Sequence, residues 1–70
     1  MKAILEFNLP EERDEHTLAV KAPNMYGALW DIDQWLRAKI KYEDRFEFQE
    51  VREQLHEILW ENGFQIDEVR

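Results

Sequence analysis

The chain has 70 residues, with nine Lys+Arg against sixteen Asp+Glu, a formal net charge of −7 and no cysteine. That excludes disulfides, thiolate metal centres and cysteine nucleophiles, and it disfavours direct binding to nucleic acid or an anionic membrane, whose phosphates an acidic chain repels. No apolar run reaches the roughly 18 residues needed to cross a bilayer, so the expectation is a soluble, unprocessed, cytoplasmic protein.

In chain order, Lys2 to Leu9 alternates, with Ala3, Leu5, Phe7 and Leu9 on one side. This period of two predicts a half-buried strand. Pro10 suits a first helical position, and Glu11, Glu12, Asp14 and Glu15 put negative charge where a helix N-terminus favours it. A short helix from Pro10 to Lys21 is expected, its rival being a loop followed by a strand at Thr17 to Lys21. Pro23 closes this segment, because the residue before a proline avoids helical geometry, and Asn24 caps a second helix through Tyr42. Met25, Ala28, Leu29, Ile32, Leu36 and Ile40 fall on one face of that helix and are read as core. A charged turn, Lys41 to Arg45, leads to a third helix from Phe46 to Asn62 with Phe48, Val51, Leu55, Ile58 and Leu59 inward. Gly63 is its left-handed stop, and Phe64 and Ile66 form a brief terminal strand or a tail. The expected fold is one α+β domain spanning residues 1–70, an N-terminal strand followed by two or three helices. A domain this small gains only about 3–5 kcal/mol from its core, so association of copies is expected.

Enzyme chemistry finds little support in the residues. His56-Glu57-Ile58-Leu59-Trp60 opens like a zinc-protease helix, but tryptophan stands where the second histidine must be. His16 lies on another element, so no metal site and no cofactor are expected. There is no serine for a triad, and two glycines make no phosphate loop. Asp31 and Asp33 diverge by about 200° on a helix and make a poor acid–base pair. A non-enzymatic protein is the expectation.

Tyr26, Trp30, Asp33 and Arg37 form a second stripe on the middle helix, on the side away from Met25, Ile32 and Leu36. Either Trp30 packs beneath the N-terminal elements, or the stripe is an exposed anchor of the Trp, Tyr and Arg type that dominates interfaces. Asp33 and Arg37, four residues apart, are expected to pair on the surface; in a complex, the same arginine would fork onto a phosphate or carboxylate. Trp60 also lies outside the core stripe and is assigned to an interface. Tyr26, Trp30, Asp33, Arg37 and Trp60 are therefore the candidate binding residues. Glu47, Glu50, Glu53, Glu57 and Glu61 make an acidic face, read either as a solvated surface or as mimicry of a phosphate backbone.

The segments ILEFNLPEER, from Ile4, and ALWDIDQWLRAKIKY, from Ala28, resemble short acidic reading frames of tailed phages and prophages. The Leu-Trp-Asp-x-Asp-Gln-Trp-Leu-Arg run beginning at Leu29 is the most specific part, and Ala22-Pro23-Asn24 stands where that group has a glycine-containing turn. The resemblance implies a protein made inside an infected bacterium to counter or redirect a host system, and assigns no active site. The expected function is a self-associating, phage-type inhibitor of a host defence component or host enzyme. The alternatives are sequestration of a small nucleotide signal at a subunit interface, with Trp30 or Tyr26 on the base and Arg37 on phosphate, and an acidic DNA mimic.

Overall fold

Helix propensity carries further along this chain than its turn signals do. The computed structural model describes residues 1–69, and among them every regular element is helical: α1, Arg13–Tyr42, then a 3₁₀ turn, Phe46–Phe48, leading directly into α2, Gln49–Glu61. This corrects the α+β expectation, since no strand occurs among the described residues. Lys2 to Leu9 alternates as a strand should, but no second segment offers a ladder to pair with, and a lone strand leaves its backbone groups to water. The arm is exposed along most of its length; Phe7 alone is partly covered, its ring edge-on to His16 at 5.4 Å.

The two helices expected on either side of Pro23 are one. Proline removes a single rung, the bond that would reach the Ala19 carbonyl, and its ring crowds that same carbonyl. Pro23 and Asn24 both lie on the solvent side, where a helix can open slightly to accommodate the ring. With Glu, Leu, Ala, Val and Lys on one side and Met, Ala and Leu on the other, the cost stays local. Asn24 is accordingly an interior residue and not a cap. Asp14 and Glu15 in the first turn and Lys39 and Lys41 in the last complement the helix dipole, and Lys39 pairs with Glu43 at 3.2 Å.

The chain reverses where the charged turn was expected. Asp44 takes a left-handed conformation (φ 53°), which aspartate tolerates better than most residues, and the Arg45 N–H donates to the Lys39 carbonyl. Phe48 then sets its ring edge-on against Trp35, 5.7 Å away, fixing the start of α2 on α1. At the far end, Gly63 (φ 90°) stops α2 as its position in the sequence implies. The Phe64 N–H donates to the Leu59 carbonyl and the Gly63 N–H to that of Trp60, the paired bonds of a Schellman stop. This turn sends the tail back across α1, where the Tyr26 hydroxyl donates to the Ile66 carbonyl and the Tyr26 and Phe64 rings lie 5.9 Å apart. Phe64 and Ile66 thus form a seated tail and not a strand.

The hairpin buries few apolar side chains: Leu36, Leu59 and Ile66. Its radius of gyration is 16.1 Å, against about 11 Å for a compact chain of this length.

Candidate ligand pocket

The most enclosed side chain is a charged one. Asp33, in the middle of α1, keeps 1% of its surface. Both of its oxygens are engaged from α2: Arg52 donates Nε–H to Oδ1 at 2.9 Å and an Nη2–H to Oδ2 at 3.3 Å, and His56 places Nε2 at 2.5 Å from Oδ1. Gln34 makes a long contact to Oδ2 at 3.4 Å. Burial pushes the Asp33 carboxyl up, but the hydrogen bonds and charges of Arg52 and His56 outweigh it and hold the group below its ordinary value. An ionised carboxylate only accepts, so the proton between the two residues belongs to His56 Nε2.

Arg52 and His56 reach one carboxylate because they are four residues apart, one turn of α2, on the side facing α1. The expected surface pair of Asp33 with Arg37 is therefore not formed. Arg37, one turn further along α1, makes no ion pair or side-chain hydrogen bond with another described residue. It lines a 610 Å³ pocket beside this triad. Trp30 and Trp60 contribute aromatic surface from α1 and α2, Arg37 and Arg52 contribute cations and His56 an imidazole, and Gln65, Ile66 and Asp67 of the tail close one side, with Glu57 at the rim.

Four of the five candidate residues, Trp30, Asp33, Arg37 and Trp60, thus meet around one cavity. Tyr26 does not join them: it tethers the tail that supplies part of the wall. The stripe assigned to the side away from the core is the side that α2 and the tail cover. Asp33 sits only about 60° around the helix from Leu36, and a two-helix hairpin closes over both. Sequence reasoning missed Arg52 and His56; their signal was a basic pair at i, i+4 on a helix facing another helix that carries acid. The glutamates of the acidic face are all exposed, and Glu57 also lines the pocket. No group of His, Asp and Glu able to hold a metal occurs among the described residues, and no helix is long and apolar enough to cross a membrane.

Compared with protein-family models, curated proteins and solved structures, the chain matches none.

Proposed function

We propose that this chain is a non-enzymatic binding protein whose pocket takes a planar, anionic ligand of the nucleotide class. The single observation that carries the reading is Arg37, a cation without an ion pair among the described residues, in a cavity also lined by two tryptophans. Asp33 is already spent on Arg52 and His56, so it does not compete for Arg37. A base stacks on indole, and a guanidinium forks onto phosphate, each independently of base identity. At 610 Å³ the cavity falls within the roughly 300–1,000 Å³ of small-molecule sites. The lining holds no hydroxyl or thiol nucleophile, which favours retention over reaction. Sequestration of a small nucleotide signal is the role such a pocket would serve.

Calorimetric titration with adenosine monophosphate, guanosine monophosphate and a cyclic dinucleotide tests this. At least one should bind and quench tryptophan fluorescence. Arg37→Lys should weaken it at least tenfold, because a point charge does not reproduce the planar fork. Absence of heat and of quenching with all three at millimolar concentration overturns the reading.

A further inference from the structure

The other broad face of the hairpin is apolar and half-exposed, with Trp35 meeting the Phe48 ring at 5.7 Å and the Lys39 ammonium at 5.6 Å. Met25, Ile32 and Trp35 on α1 and Val51 and Ile58 on α2 each keep between 46% and 53% of their surface. They share a side. Taking Leu36 as the point of α1 that faces α2, Ile32 lies about 40° and Trp35 about 100° to one side, while Asp33 lies about 60° to the other. On α2, Val51 and Ile58 lie opposite in sense to Arg52 and His56, so the pocket occupies one face and these five residues the other.

The pattern along α1 says what covers that face. Leu18, Ala22, Met25, Leu29, Ile32 and Leu36 are spaced four, three, four, three and four apart, the alternation of a helix that packs along another helix; α2 buries this stripe at Leu36, while Leu18, Ala22, Met25 and Ile32 stay exposed beyond its reach. At about 1.5 Å per residue the 30-residue α1 is some 45 Å long and the 13-residue α2 only some 20 Å. The tail reaches the α1 seam with Phe64, leaving an open apolar groove between that ring and Leu18, Ala22 and Met25. The part of the seam that α2 does not reach calls for another helix, and α1 of a second copy is one long enough.

The area agrees. The accessible surface is 6149 Å², about 1,400 Å² more than a folded monomer of this mass exposes. Part of that excess is the N-terminal arm, but a standard interface needs only about 800 Å² from each partner. The charge of −7 does not stand in the way. On the seam side of α1, Asp14, Asp31 and Glu43 are balanced by Arg13, Lys21 and Lys39, and the glutamate stripe of α2 is turned about a quarter circle from Val51 and Ile58.

We propose that two copies of this chain associate through the Met25–Ile32–Trp35 side of α1, with Val51 and Ile58 at its margin, giving a four-helix assembly whose two pockets face outward. This places the interface on the side opposite Trp30 and Trp60, and it stands independently of what the pockets hold.

Sedimentation equilibrium at about 100 μM should give twice the 8.6 kDa chain mass, and the melting temperature should rise with protein concentration, a test that needs no variant. Ile32→Glu and Val51→Glu, at positions a monomer leaves exposed, should each weaken association at least a hundredfold, whereas Trp30→Ala should leave it within threefold. A wild-type mass of one chain with a concentration-independent melt overturns the proposal, as does a dimer that Trp30→Ala or Trp60→Ala dissociates and Ile32→Glu does not. A monomer that instead binds a host protein through Ile32 and Trp35 overturns it too.

Discussion

Asp33 and Ile32 are neighbours in the chain, yet the aspartate keeps 1% of its surface and the isoleucine 48%. Polar residues close one side of the hairpin; apolar residues lie open on the other. Arg52 and His56 explain the first: an ionised carboxylate that accepts from both is stable where a solitary one would not be. The second follows from the number of layers. An amphipathic helix buries its apolar stripe only if something lies over it, and a thirteen-residue helix with a short tail covers only part of a thirty-residue one. The comparison teaches that burial here follows the available partner more closely than it follows hydrophobicity.

The most severe way to break the contrast is to remove the charge that closes the polar side. Asp33→Ala leaves Arg52 and His56 facing each other without their acceptor. It should cost about 2–3 kcal/mol, less than the roughly 3–5 kcal/mol of a fully buried broken pair because both partners retain water. For a domain of about 3–5 kcal/mol that is a large share of the folding free energy, and a urea titration followed by circular dichroism should show the midpoint shifted strongly toward zero denaturant at 25 °C.

Acid should loosen the same side more gradually. The folded Asp33 carboxyl lies below its ordinary 3.8, so its stabilisation is whole above that value and is lost as pH falls through the folded one. Chemical denaturation between pH 7 and pH 3 should show a loss of stability beginning near pH 4. Asp33→Asn, if it retains a measurable transition, should lack that component.

How far the sequence spoke for each side differs in kind. The C-terminal end of the helix expected from Met25 to Tyr42, the turn after it, α2 and the Gly63 stop were readable because each depends on neighbours within a few residues. The strand at Lys2 to Leu9 was not, because alternation describes one face of a segment and says nothing of whether a partner strand exists. Pro23 misled for a related reason: its cost is local and modest, and the helix formers on both sides exceed it. Trp30, Arg37 and Trp60 could be singled out as residues their own helices did not need, but that they meet with Asp33 around one pocket depends on the crossing of α1 and α2. The partners of Asp33 lie nineteen and twenty-three positions away, beyond any single-helix periodicity.

The smallest expected effect sharpens the comparison from the exposed acids of α2. Glu50 and Glu53 are exposed on α2 away from the pocket, and Glu57 is exposed at its rim. Replacing all three by glutamine should change stability by less than about 1 kcal/mol, read as the shift in the urea midpoint, and should leave the association of copies intact. A larger stabilisation would mean that the acidic stripe repels something in the folded state.

Pro23 divides α1 into halves with different fates on the timescale of amide hydrogen exchange. The half from Ala28 onward is held by α2, and its amides open only when the hairpin does. The half before it has lost one rung of the ladder, faces water at Leu18 and Val20 and is braced chiefly by Phe7 against His16, so its amides open in a separate, lower-energy event. A neighbouring helix laid along Leu18 and Met25 would suppress that opening. Deuterium uptake at residues 13–22 is therefore a built-in gauge of whether a second chain is in place.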